Sequence, residues 1–466
     1  MQVILDMISK LTGWFWGWPI LIVLLGGGLL ISFRMGFVQI KYLPFIIKQT
    51  FGKMFASDVG GEGSVSPFQA ASAALASSIG AANIVVAPSI IFTAGPGAVF
   101  WMWIAAIIGQ GTKFAEIVLG IKYREKNADG EFVGGPAYTF KKGIGGTAGK
   151  IMGFLVSFFF MIEILPSITL QTISAVGPLE QLGLSRVVAA VVITLLVVLV
   201  AYGGIKRIAQ VTEKMVPFMA ALYIIMGLIV IIMHADQIPA AFKEIFVGAF
   251  NPRAIGGGVA GAGISALIKA GAARGCYSNE AGMGSAPYAH ATAVTDHPCR
   301  QGMWGVFEVI ADTVIVCTIS ALVVLTTGLW QNPDMKDIGV ERAFNTAFGQ
   351  IGTAVIAISL FLFVLSTIVV IVFYAEKQGE YLFGTTVGKI VRFIACAMIL
   401  LGGFVSFDNA GVFLDATLGL VVFTNMVGMI LLSGEIRELV DDFFKNPKYY
   451  PGACLLYTSL SGLARQ

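Results

Sequence analysis

Stretches of about 20 residues with almost no charge recur along nearly the whole chain, and each is long enough to cross a bilayer core of roughly 30 Å as a helix. By that criterion helices are predicted at about 14–33, 67–93, 98–121, 153–176, 186–204, 214–234, 256–282, 303–327, 350–375, 388–406 and 412–433, eleven in all. Composition agrees: 57% of the 466 residues are hydrophobic and 12% are charged, against roughly 25% charged in a soluble domain. A soluble chain of this length would divide into domains with charged surfaces, so these apolar residues must face lipid. The 56 glycines suit close helix packing in that medium.

Other classes fall away on the same reading. A β-barrel would show alternating ten-residue segments, and the apolar runs here are continuous. The net charge of +3 is dispersed, with no basic tract for a nucleic acid. The five cysteines, Cys276, Cys299, Cys317, Cys396 and Cys454, show no metal-ligand or disulfide spacing, and His290 and His297 sit in a loop without ligand spacing. The first apolar run lacks a small-residue cleavage site and reads as a span, not a signal peptide. An enzyme would need a nucleophile and base, or paired aspartates, within the spans. A channel would not need the interruptions described next.

Loop charge orients the chain. Segments 34–66, 122–152, 205–214, 274–302, 376–392 and the C-terminal tail hold 22 of the 30 Lys and Arg. The opposite side holds Lys10, Arg186, Lys243, Arg253, Lys336 and Arg342, while Lys113 and Lys269 lie inside spans. The positive-inside rule then puts the N-terminus outside and the C-terminus in the cytoplasm of a prokaryotic inner (plasma) membrane.

Two spans carry polar residues and glycines where a lipid-facing helix should not. The second holds Ser77, Ser78, Gly80 and Asn83; the seventh holds Gly271, Gly275, Asn279 and Gly282. With the first span set aside they are first and sixth of ten, the same place in each half of a five-plus-five repeat. Broken helices at corresponding positions point to a secondary transporter with its binding site at the midplane. Small-residue packing of intact helices is the other reading. The expected division is 1–66 for an extra helix and cytoplasmic loop, 67–234 and 235–434 for the repeats, and 435–466 for a cytoplasmic tail whose end, from Pro451, is expected to be disordered.

Following the first interruption come AGPGAVFWMWIAAIIG from Ala94, KFAEIVLGIKYRE from Lys113 and GGPAY from Gly134; the seventh span ends in RGCYSNEAGMGSAPYAHATAVTDHPCRQG from Arg274. From about Gly26 to Gly434 the chain resembles the alanine or glycine:cation symporters of the amino acid-polyamine-organocation superfamily. The resemblance implies an all-α, leucine-transporter-like inverted repeat with one extra N-terminal helix. It also implies a monomeric symporter carrying a small neutral amino acid with sodium into the cell, with no cofactor beyond Na+. The family's S/T-I-G-T-G-N is here Ser78-Ile79-Gly80-Ala81-Ala82-Asn83, its Q-T-N-S is Gln171-Thr172-Ile173-Ser174, and its S-T-x-x-G-W is Ser366-Thr367-Ile368-Val369-Val370-Ile371. Cation-site positions are kept and the pocket is altered.

The resemblance places sodium among Ala76, Ile79, Phe363, Ser366 and Thr367, oxygens of the kind a hard cation takes. Alternatively, the two hydroxyls bond carbonyls four residues back. Substrate would meet Gly80, Ala81, Ala82, Asn83, Gln171, Gly271, Gly275, Tyr277, Thr367 and Ile371, although Asn83 and Gln171 also suit interhelical hydrogen bonding. Ile in place of Trp at 371 leaves room for serine, threonine or glutamine. Glu163, an acid in an apolar span, either meets an ammonium or a proton, or is a neutral structural acid. Lys113 and Glu116 are spaced as a structural pair, Asp312 is read as structural, and Trp101 and Trp103 as interfacial anchors.

Overall fold

The computed structural model describes residues 10–54, 60–250, 263–336, 338–404 and 407–453, without the side chains of 181 and 407–413. Positions 256–262 of the seventh predicted span, and 454–466 of the tail with Cys454, lie outside them. Among the described residues the fold is helical apart from two isolated bridges and one two-residue antiparallel pair, β1 (Glu125–Lys126) and β2 (Phe132–Val133).

Besides short helices at Val38–Lys41, Leu43–Gln49 and Pro136–Thr139, the helices are α1 (Lys10–Arg34), α2 (Pro67–Ser78), α3 (Ala82–Ala94) and α4 (Gly97–Lys122). Next come α5 (Gly146–Gln181), α6 (Arg186–Ala201), α7 (Gly204–Met233), α8 (Ile238–Phe250) and α9 (Ile264–Asn279). After these are α10 (Ala286–His290), α11 (Pro298–Thr326), α12 (Gly339–Phe348) and α13 (Gln350–Phe383). The chain closes with α14 (Thr385–Leu401), α15 (Phe407–Leu431) and α16 (Ser433–Lys445). Among the described residues seven helices are long and apolar enough to span, eight if the bent pair α2–α3 is one span; α6 and α14 are shorter. The segment at 205–214, expected as a loop, is helical: Gly204 takes φ +69° and α7 continues through it. α8, α12 and α16 are additional to the predicted spans.

Local chemistry sets the first break. A capping box starts α2: the Gln69 amide donates to Ser66 Oγ at 3.1 Å, the Ser66 amide to Gln69 Oε1 at 3.0 Å, and Pro67 takes the first turn. The helix stops at Ile79, which leaves helical geometry at ψ 89°, and α3 resumes after Ala81 at an angle of 50°. Gly95, at φ +101°, then turns the chain into α4.

Burial separates the inner helices from the outer. α4 and α13 bury 83% and 72% of their apolar cores, whereas α7 buries 33% and turns Phe218, Ile225 and Ile232 outward. α4 packs on α9 and α11, α5 on α13 and α15, and α13 on α14, α7 and α2.

Candidate functional site

The two broken spans meet at the centre of the bundle. In the gap between α2 and α3 the Gly80 amide donates to Asn83 Oδ1 at 2.9 Å and the Ala81 amide to Gln171 Oε1 at 3.3 Å. These are backbone donors that an intact helix would have used itself. A Cβ on Gly80 would lie 2.8 Å from Thr367 Oγ1 and 3.1 Å from Gln171 Nε2, so α5 and α13 close on the gap at a place only glycine fits.

Thr367 Oγ1 lies within hydrogen-bond distance of two carbonyls and has one proton to share between them. Its hydroxyl lies 2.9 Å from the Phe363 carbonyl four residues back and 2.9 Å from the Ala76 carbonyl across the helix interface. Ser366 Oγ sits 2.8 Å from the same Phe363 carbonyl. Ile79, buried at the end of α2, donates its amide to Leu75. Two carbonyls and two hydroxyls from α2 and α13 thus share one buried spot, an oxygen-rich environment of the sort a hard cation takes.

The second break falls at the later of the singled-out residues, Asn279 and Gly282, and not at Gly271 and Gly275. Gly271 and Gly275 lie inside intact α9, where a Cβ on Gly271 would meet the Ala98 carbonyl at 2.6 Å and one on Gly275 would meet Met102 Cγ at 3.4 Å. Gly271 admits α4 at close range, whereas a Cβ on Gly275 would be in ordinary contact with it. α9 ends instead at Glu280, which holds a left-handed φ of 58°. Its carboxylate accepts from Ser77 Oγ at 3.0 Å and from Ser285 Oγ, tying the second break to the last turn before the first.

Asp312 is the other link. It accepts from Asn83 Nδ2 at 2.6 Å, Ser278 Oγ at 2.9 Å and Thr313 Oγ1 at 2.7 Å, all fully buried. Sequence reasoning assigns Asp312 a structural role and Glu280 none; the signal for both is an acid inside an apolar span.

Lys113 does not pair with Glu116, one turn away. Its ammonium reaches Glu308 at 3.2 Å and the Asn279 carbonyl at 2.8 Å, because Gly305 lets α11 lie against the Lys113 backbone. Glu116 instead accepts from the Gly282 amide at 3.1 Å and Asn425 Nδ2 at 2.6 Å. His290 is buried on Glu308 at 2.6 Å. Trp101 and Trp103, expected at a lipid interface, are half-buried and donate inward, to the Ala249 carbonyl at 3.1 Å and Thr318 Oγ1 at 2.8 Å. The unforeseen α8 covers them.

Ala81, Ala82, Gln171 and Tyr277 line a cavity of about 170 Å³, with Arg274 and Asp415 at its edge. Pockets for drug-sized ligands measure roughly 300–1,000 Å³, so this space suits a small metabolite. Ile371 is buried one turn beyond Thr367. Glu163 is buried in α5 with no hydrogen-bond partner among the described residues, within electrostatic range of Glu280 and Tyr277.

Residues 1–451 match the model of the sodium:alanine symporter family. The chain belongs to that family. It is 41% identical to the uncharacterized transporter YflA of Bacillus subtilis, over 97% of this chain and 96% of that one. It is 36% identical to the sodium/alanine symporter AgcS of Methanococcus maripaludis, over 92% and 95%. The crystal structure of MhsT in complex with L-phenylalanine superposes with a TM-score of 0.57 at 12% identity, covering 82% of this chain and 99% of that one. This family member therefore has the leucine-transporter-like fold. It is a multi-pass membrane amino acid transporter and not an enzyme.

Proposed function

We propose that the protein is a sodium-coupled symporter that moves a small neutral amino acid into the cell by alternating access. The observation that carries this reading is the Thr367 hydroxyl 2.9 Å from the carbonyls of both Ala76 and Phe363, with Ser366 beside it. Those oxygens belong to different helices, so an ion among them holds α2 against α13, and its departure lets them part. Substrate binds in the adjoining cavity of about 170 Å³, against Ala81, Ala82, Gln171 and Tyr277. The outward N-terminus, a monomeric state and the two repeats at 67–234 and 235–434 belong to the same proposal.

Uptake of labelled alanine into proteoliposomes under an inward sodium gradient tests it, with glycine, serine, threonine and glutamine as competitors. Accumulation should collapse when sodium is replaced by choline. Accumulation that persists in choline and follows a proton gradient would replace sodium coupling with proton coupling, for which the buried Glu163 supplies a carboxyl.

A further inference from the structure

The small cavity adjoins a larger one of about 740 Å³, and the two share Ser89, Arg274, Tyr277, Lys336 and Asp415. The larger space is lined on one side by a single face of α9: Ala266, Lys269, Ala270, Ala273, Arg274 and Tyr277 recur at helical spacing. Three alanines keep that face open while two long cations project from it. Lys336 completes a set of three cations against one acid, Asp415. Arg274 lies 3.5 Å from Asp415, both of them partly exposed, whereas Lys269 and Lys336 have no ion-pair partner among the described residues. On its far side Lys336 also borders a separate cavity carrying Glu180 and Glu341.

This placement runs against the charge distribution of the chain. Arg274, which falls in a cytoplasmic segment on loop charge alone, shares the cavity with Lys336, which falls outside. The helix breaks only after Asn279, so Arg274 belongs to α9 itself and not to the loop that follows it. Three cations from α9 and from the segment before α12 thus converge on one cavity beside the substrate pocket.

We propose that this vestibule is a second binding site, a capture site for the α-carboxylate of the incoming amino acid. Lys269 and Lys336 draw the carboxylate in, and Arg274 exchanges Asp415 for it before the substrate passes Tyr277 to Gln171. A cleft with an excess of one sign of charge, here three cations against one acid, raises the local concentration of the opposite charge. The inference rests on the amino acid transport reading.

The test is initial-rate alanine uptake by wild type and by the double variant Lys269→Gln/Lys336→Gln, reconstituted in vesicles with and without anionic lipid. The expected result is a half-saturating alanine concentration raised on the order of tenfold, with the maximal rate held. The difference should narrow as ionic strength rises. Alaninamide, which lacks the carboxylate, should compete as well or better in the variant. Unchanged half-saturation in a variant that still transports overturns the capture site alone. An effect that vanishes without anionic lipid also overturns it, assigning the lysines to lipid headgroups. Failure of wild type to take up any amino acid overturns the transport reading and this one with it.

Discussion

Asn83 donates its side-chain amide to Asp312 Oδ1 over 2.6 Å, joining residues 229 positions apart in the chain. Both lie on stretches wound as π-helix, Ala82–Val86 and Ile310–Cys317, so two helices carry local distortions that face each other. Such bulges cluster at functional sites because they re-aim side chains at little cost to the rest of the helix. The same Asn83 accepts from the Gly80 amide through Oδ1. One side chain therefore fixes the open backbone of the first break and anchors it to α11.

Replacing Asp312 by alanine should strand the donors of Asn83, Ser278 and Thr313 in a buried space. Each unmade buried bond costs about 1–3 kcal/mol, so the variant should lose about 3 kcal/mol or more and be poorly active. Asp312→Asn keeps an oxygen for Asn83 and should fall between. Thermal unfolding in detergent reads the order; equal midpoints for all three proteins would remove Asp312 from its place in the site.

Thr367→Ala removes one oxygen from the Ala76–Phe363 cluster and leaves the fold otherwise intact. A hydrogen bond or ligand to a charged group is worth about 1.5–3 kcal/mol, which predicts a half-activating sodium concentration raised by roughly 10- to 100-fold. Thr367→Ser should stay near wild type. An alanine variant with an unaltered sodium response would show that the cation binds elsewhere.

Lys113 and Glu308 form a fully buried pair at 3.2 Å that also carries the end of α9 through the Asn279 carbonyl. Lys113→Met alone leaves Glu308 with only the His290 ring as a hydrogen-bond partner, and should destabilise by about 3–5 kcal/mol. Adding Glu308→Gln should recover part of that loss. Additive losses in a thermal double-mutant cycle would show that the two residues are not coupled.

The architecture was legible because a membrane-spanning helix is a one-dimensional signal: about 20 apolar residues suffice, and no partner need be known. The first break was legible for a similar reason, since Gly80 and Asn83 interrupt such a run in place. The second is legible in part, since Asn279 and Gly282 lie at the break whereas Gly271 and Gly275 do not. Gly271 and Gly275 look like breakers in sequence, but both lie inside α9, and at Gly271 the missing side chain admits the Ala98 carbonyl of α4, a relation only tertiary structure supplies. Glu280, which does mark the break, is held by Ser77, 203 residues away. The pairing of Lys113 with Glu308, and not Glu116, was hidden in the same way.

The final prediction turns on two glycines. A Cβ on Gly80 would stand 2.8 Å from Thr367 Oγ1 and 3.1 Å from Gln171 Nε2, and both of those side chains are already committed to the Ala76 carbonyl and the Ala81 amide. Either one must yield its bond for the methyl to enter. Gly80→Ala should therefore cost about 1–3 kcal/mol by overpacking and abolish sodium-driven uptake, since it displaces the oxygen cluster and the pocket wall together. Gly26 is the control: it lies in α1 at φ −66°, and a Cβ there would have nothing within 4 Å. The methyl then meets no protein and restricts the unfolded chain, so Gly26→Ala should leave uptake intact and stabilise by about 0.5–1 kcal/mol. If Gly80→Ala instead transports like wild type, the helices α2, α5 and α13 do not close on that residue during the cycle, and the site drawn around it is misplaced.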